Sequence, residues 1–128
     1  MKIFRRASVP FESGDANTFT GAVTRATLAS DKAGTPVTVY HVVFEPGART
    51  HWHTHDGSQW LLVVEGRIRI QQAGEPPAEA AAGDTIVIPP GEKHWHGATP
   101  EARGVHLAVN VNAATTWMEP VTDQQYRG

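Results

Sequence analysis

Cysteine is absent from the 128 residues. That excludes disulfides, thiolate metal sites and a cysteine nucleophile, so any bound metal must be held through nitrogen and oxygen. No sign of charge dominates. Eleven Lys and Arg stand against thirteen Asp and Glu, for a formal charge of −2, and the two signs are interspersed. There is therefore no basic face for nucleic acid and no charged patch for a membrane surface. Long apolar runs are missing as well. None approaches the roughly 20 residues of a membrane span, and the basic start MKIFRRASVPF lacks the apolar stretch of a secretory signal. A soluble, cytoplasmic protein is the expectation. Helical periodicity is also lacking, since no segment combines a 3.6-residue apolar repeat with end caps, and Ala78 to Ala82 is too short to stand alone as a helix.

Short β-type segments punctuated by glycine and proline fill the chain instead. Val37, Val39, His41 and Val43 alternate with Thr38, Tyr40, Val42 and Phe44, the composition of a strand buried on both faces. Glu45-Pro46-Gly47-Ala48 reads as a turn. Trp60 to Ile70 is strand-like, and Gly66 marks a bend or hairpin within it. Gly74 to Ala82 reads as a loop, Thr85 to Ile88 as a short strand stopped by Pro89-Pro90-Gly91, and Val105 to Asn112 as a further strand. This pattern predicts an all-β barrel or sandwich in one domain, 1–128. Its core spans about 36–112, with an irregular N-terminal arm at 1–30 holding one or two edge strands and a tail at 113–128. Trp117-Met118-Glu119-Pro120 is expected to pack on the barrel or across a dimer, or to cover a pocket.

Histidine is the compositional anomaly. All seven lie between His41 and His106, and five of them fall in two clusters, His51-Trp52-His53-Thr54-His55 and His94-Trp95-His96. Residues two apart on a strand share a face, so each cluster aims imidazoles in one direction. Asp56-Gly57-Ser58 reads as a turn that brings the chain back antiparallel and returns Gln59 beside the first cluster. Imidazoles gathered in this way, in a chain without thiols, build a nitrogen-rich metal site. On spacing alone His51 is either a neighbour of that site or a solvent-facing rim residue. His106, mid-strand and opposite in phase to Val105, Leu107 and Val109, would face a cavity together with Ala108 and Asn110.

Two gapped motifs carry a resemblance. Gly47, His53, His55, Gln59 and Gly66 match the first motif of the cupin superfamily, with Gln59 where glutamate is usual. Gly83, Pro89, Gly91 and His94 match the second, with Ala98 where asparagine is usual. The resemblance implies a double-stranded β-helix, or jelly-roll, barrel. It implies a metal held by His53, His55, Gln59 and His94, with His51 and His96 outside the ligand set; were Gln59 not to ligate, a three-His site would remain. A neutral amide in place of a carboxylate leaves one more positive charge on the ion, making it a stronger Lewis acid held less tightly. Mn²⁺ suits this donor set first, Fe²⁺ next, with Co²⁺, Ni²⁺ or Zn²⁺ as further occupants.

The stretches FEPGARTHWHTH (44–55), GEKHWHGATP (91–100) and WMEPVTDQQY (117–126) are similar to those of short bacterial monocupins that include the manganese-dependent hydroxynitrile lyases. That similarity implies a C–C lyase that cleaves a small cyanohydrin to an aldehyde and cyanide and runs in reverse. It implies His106 as base, His96 as donor to the leaving group, and Tyr40, Val42 and Asn110 as pocket walls. An Fe(II) dioxygenase acting on a small carbonyl or thiol compound and a non-enzymatic binder of a sugar or small acid are the competing readings. Exposed sheet edges in such barrels are managed by pairing, so a homodimer or homotetramer is expected.

Overall fold

In the computed structural model all 128 residues are described, and twelve strands follow in order. They are β1 (Glu12–Ser13), β2 (Phe19–Thr20), β3 (Val23–Asp31), β4 (Val37–Phe44), β5 (Arg49–Thr50) and β6 (His53–His55). Then come β7 (Ser58–Gln72), β8 (Ala78–Ala81), β9 (Thr85–Ile88), β10 (His94–Gly97), β11 (Gly104–Val111) and β12 (Thr115–Trp117), and a five-residue helix α1 (Asp123–Arg127). The ladders described below are all antiparallel. One sheet runs β1-β3-β4-β11-β7-β9. The other holds β2, β5, β6, β8, β10 and β12. The all-β barrel expected from the sequence is the architecture found. No helix is long and apolar enough to cross a membrane.

β7 joins the two sheets. Its first half pairs with β11 and β9, and its last residues pair with β10. In the first half the odd residues Gln59, Leu61 and Val63 are buried while Trp60, Leu62 and Val64 are exposed. Beyond the bend the phase flips, and Ile68 is buried. The cause is a bulge. Opposite β7, Val105 pairs with Glu65 but His106 pairs with Val63, which leaves Val64 as an extra residue. An extra residue in a period-two strand exchanges its faces and increases its twist. Gly66 sits in the left-handed region at φ 66°, and a Cβ there would lie 2.1 Å from the Arg103 carbonyl oxygen. The bend is thus restricted to glycine, and it is a bend within one strand, not a hairpin.

Other expectations need correction. The arm at 1–30 is not mainly irregular, because it contains the nine-residue β3, paired along its length with β4. Small and polar residues such as Thr24, Thr27 and Ser30 weakened its strand signal, since its outward face meets solvent. β4 is not buried on both faces. Val42 and Phe44 point into the core, whereas His41 and Val43 are half-covered. The loop assigned to 74–82 contains β8, which pairs with Arg67–Ile70 of β7. The turn at Asp56-Gly57-Ser58 does not fold β7 back on β6. β6 pairs with β10 and β12, and the turn carries the chain across to the other sheet. Finally, α1 starts with a capping box that the sequence reading passed over. The Thr122 hydroxyl accepts from the Gln125 amide at 3.0 Å, and the Thr122 amide donates to Gln125 Oε1 at 3.0 Å. Thr-x-x-Gln is the motif that satisfies two free helix-start amides reciprocally.

The apolar core is divided. Phe19, Val23, Val42, Phe44, Val63 and Ile68 fill one end of the barrel. Trp52, Trp95, Val121 and Tyr126 pack the C-terminal segment against the second sheet. Tyr126 donates from its hydroxyl to the Ala98 carbonyl at 2.5 Å, and the Arg49 guanidinium donates to the Val121 carbonyl at 2.8 Å and to the Asp123 carboxylate at 2.9 Å. These contacts hold the tail on the barrel and set the position of β12.

Candidate metal centre

The histidines lie between the sheets. β6 presents His53 and His55, and β10 presents His94 and His96, with His94 opposite His53 in register. β7, from the other sheet, contributes Gln59, and β11 contributes His106 and Asn110. All of these side chains are buried. His53 lies 5.0 Å from His55 and 4.2 Å from His94 between ring centroids, and His55 lies 5.4 Å from His94. One nitrogen each of His53, His94 and His96 falls within 4.8 Å of the others. The set therefore differs from the three imidazoles the motif register selects: His96 stands in it, and His55, beside His53, falls outside that spacing.

The hydrogen bonds distinguish the rings. His53 Nδ1 donates to the His51 carbonyl at 2.9 Å, and His94 Nδ1 donates to the Glu92 carbonyl at 2.8 Å. A neutral imidazole that donates from Nδ1 carries a lone pair on Nε2, and this outer bond is the usual backing of a metal-ligating histidine. His55 Nδ1 is paired with the Thr115 hydroxyl at 2.9 Å, and its Nε2 is buried without a partner. Gln59 Nε2 donates to Asn110 Oδ1 at 2.8 Å, which turns Gln59 Oε1 toward His94 Nε2, 3.4 Å away. With His94 donating from its other nitrogen, two lone-pair atoms face each other with no hydrogen between them. A cation resolves that arrangement. The residues present thus fit a divalent ion.

Burial keeps these rings neutral. It pushes His94 down to about 4, and it holds His53 well below the ordinary histidine range, where the repulsion two protonated rings would feel lowers it further. His55 is lowered by the same desolvation. Neutral imidazole is the form that binds a metal.

His96 and His106 form a pair of their own. His106 Nε2 lies 3.0 Å from His96 Nδ1, and the remaining nitrogen of each ring is buried without a partner. Desolvation pushes His106 down to about 3 and His96 well below the usual range. Four buried side-chain polar atoms lack partners in the whole chain, and three of them, on His55, His96 and His106, belong to this one site. Each such group costs about 1–3 kcal/mol. A cost gathered at one place marks a functional site more than a packing defect.

The cavity beside the histidines holds about 190 Å³. Tyr40, Val42 and Asn110 line it, and so do Ala108 and Phe44. Sequence reading missed Phe44, Thr50, Phe19, Arg25 and Thr115, and offered the Trp117 segment as a pocket cover. Phe19, Arg25 and Thr115 reach the cavity from β2, β3 and β12. Trp117 lines it too, its indole 4.6 Å from the His53 ring at 39°. The β-branched and aromatic run Thr115-Thr116-Trp117 was the available signal for a strand here. His51 is buried, not on the rim, and its contribution is the carbonyl behind His53. His41 stays outside, with its ring edge-on to Phe11 at 5.2 Å.

A curled two-sheet barrel whose interior gathers histidines able to hold a metal defines the class of protein. The chain belongs to the cupin family: the Cupin domain model matches residues 40–110. Over 130 residues it is 43% identical to a protein named (R)-mandelonitrile lyase from Granulicella tundricola, covering 99% of each chain. A crystal structure of a cupin-like protein from Thermotoga maritima superposes with a TM-score of 0.86 at 40% identity, over 99% of this chain and 96% of that one. The polyketide cyclase RemF of Streptomyces resistomycificus shares the fold, with a TM-score of 0.72 at 21% identity over 99% and 91% of the two chains.

Proposed function

We propose that this protein is a metal-dependent C–C lyase of small cyanohydrins, releasing an aldehyde and cyanide and catalysing the reverse addition. One cavity contains both a metal-fitting cluster and a buried neutral histidine pair, and that coexistence carries the reading. The 43% identity to a protein named mandelonitrile lyase supports it. His53, His55, His94 and Gln59 would hold the ion, Mn²⁺ first and Fe²⁺ next. His53, His55 and His94 are preferred because the cupin motif spacing selects them; their Nδ1 atoms are backed by the His51 carbonyl, Thr115 and the Glu92 carbonyl, and His96 Nδ1 is paired with His106. When bound, the ion supplies a fixed positive charge that stabilises negative charge developing on the substrate.

The chain's own groups do the rest. The His96–His106 pair takes the substrate hydroxyl proton on a free ring nitrogen. The carbonyl forms as the C–C bond breaks, and its electron pair leaves with cyanide, which recovers the proton from the same pair. Two linked imidazoles can pass the charge between rings, so neither has to hold an isolated proton in an apolar wall. Phe44 packs against both rings, at 5.9 Å from His96 and 5.4 Å from His106, and limits water around them. Tyr40, Val42 and Asn110 set the size of the aldehyde that fits.

The test is release of benzaldehyde from mandelonitrile by metal-loaded protein against a metal-stripped control. Metal-dependent release supports the reading. Absence of release, together with oxygen uptake on a carbonyl or thiol panel, would replace it with oxygenase chemistry.

A homo-oligomer is part of the proposal, on different grounds from those expected. The end strands β1 and β2 have two residues each and offer little edge to pair. The outer face of the first sheet instead exposes Trp60, Leu62, Val64 and Val87. Such an exposed apolar face suits a second copy of the chain.

A further inference from the structure

The cavity wall contains no aspartate or glutamate, and its one arginine is Arg25. In β3 Arg25 lies directly across from Val42 of β4, and both side chains line the cavity. Its guanidinium carbon stands 5.5 Å from the Tyr40 ring centroid. Arg49, Arg69 and Arg103 each engage a carboxylate, on Asp123, Glu79 and Glu45. Arg25 engages none. Glu12 is its register partner on β1, and no ion pair joins them. At the mouth of the pocket a cation with free donors therefore faces a chamber without any negative charge.

We propose that Arg25 is a carboxylate-recognition residue and that the substrate is a small acid bearing its reactive carbon at the far end from the carboxylate. A guanidinium presents a planar fork of donors matched to a carboxylate, and stacking on an aromatic ring fixes its plane without using those donors. Here the ring is Tyr40, whose hydroxyl adds a donor at the same wall. An anion in this cavity meets no carboxylate on its wall, Glu12 sharing a separate surface pocket with Arg25, and it is oriented with one end at Arg25 and the other toward the histidines. The anion subsite stands on the cavity alone. The further statement that its ligand is a carboxylated aldehyde or cyanohydrin rests on the lyase reading.

The test titrates benzoate and its neutral isostere benzamide into metal-loaded protein, followed by calorimetry and by indole fluorescence, in the parent chain, Arg25→Gln and Arg25→Lys. Benzoate should bind about five- to tenfold more tightly than benzamide at low salt, since a charge-assisted bond at a partly exposed site keeps part of its strength. Arg25→Gln should abolish that preference with benzamide affinity and metal content unchanged, and Arg25→Lys should restore a part. Benzoate affinity equal in the parent and Arg25→Gln would overturn the subsite and assign the carboxylate to the metal centre. Cleavage of mandelonitrile and of 4-carboxymandelonitrile is measured alongside. If neither is cleaved while benzoate binding depends on Arg25, the lyase reading falls and the subsite stands. If mandelonitrile is cleaved and benzoate binding ignores Arg25, the reverse holds.

Discussion

His106 Nε2 and His96 Nδ1 lie 3.0 Å apart, and neither ring has another hydrogen-bonding partner for its second nitrogen. The contact couples a residue of β11 in one sheet to a residue of β10 in the other. It makes the two rings a single hydrogen-bonded unit, whose proposed role in proton transfer can be tested apart from the metal centre. His106→Ala should retain the metal of the parent chain and lose at least about a hundredfold in turnover of mandelonitrile, the ordinary contribution of a positioned acid–base group. Metal analysis and steady-state rates on one preparation check it. Full turnover in this variant would remove His106 from the chemistry.

Metal content should follow the imidazoles whose outer nitrogens are backed. His53→Ala and His94→Ala are expected to fall to a small fraction of the parent's metal after gel filtration. Gln59→Glu should bind metal more tightly, because a carboxylate is the stronger donor. It should also destabilise the metal-free protein by at least about 1–3 kcal/mol, because it buries a carboxylate with no cation to pair it. Competition with a chelator and urea melts measure the two effects separately.

Acid should destabilise the metal-free protein. His94 and His106 have folded values pushed down to about 4 and about 3 by burial, against 6.5 when unfolded. The folded state therefore binds fewer protons than the unfolded state below pH 6.5. Stability is complete above that pH and declines as pH falls toward 4 and then 3. Each histidine that stays neutral contributes a slope of about 1.4 kcal/mol per pH unit. Urea midpoints in the presence of chelator, measured at pH 7.5, 6 and 5, should fall steadily. Equal midpoints would mean that these rings are charged in the fold.

Self-association should depend on the outer face of the first sheet. Trp60 is 46% exposed and Val87 is 53% exposed, and they are cross-strand partners. Trp60→Glu places two charges in any two-fold contact through this face, and sedimentation should then report a smaller particle with unchanged metal content. An unchanged particle mass would move the contact elsewhere.

Much of this site could be read from the sequence because its signal is local. His53 with His55, and His94 with His96, lie two apart on strands, so alternation alone aligns them. The rest was hidden because it depends on the crossing of two sheets. Gln59 arrives by a change of sheet, not by a hairpin, and no feature of Asp56-Gly57-Ser58 separates those outcomes. Arg25 and Phe19 enter the cavity from strands whose small and polar residues resemble a loose arm. The bulge at Val64, which helps aim His106 inward, has no signature except the nearby Gly66. Thr115 and Trp117 carried a strand signal, but only their pairing with His55 and His53 makes them part of the centre.

That pairing makes the centre depend on the last strand of the chain. β12 follows every proposed ligand in the chain, yet it supplies the hydroxyl that orients His55 and the indole that covers His53. A nascent chain that has already emerged with all four ligands still lacks the backing that selects the coordinating nitrogen of one ring and the roof over another. A chain cut before Thr115 would keep every proposed ligand and lose both the hydroxyl that orients one ring and the indole that covers another.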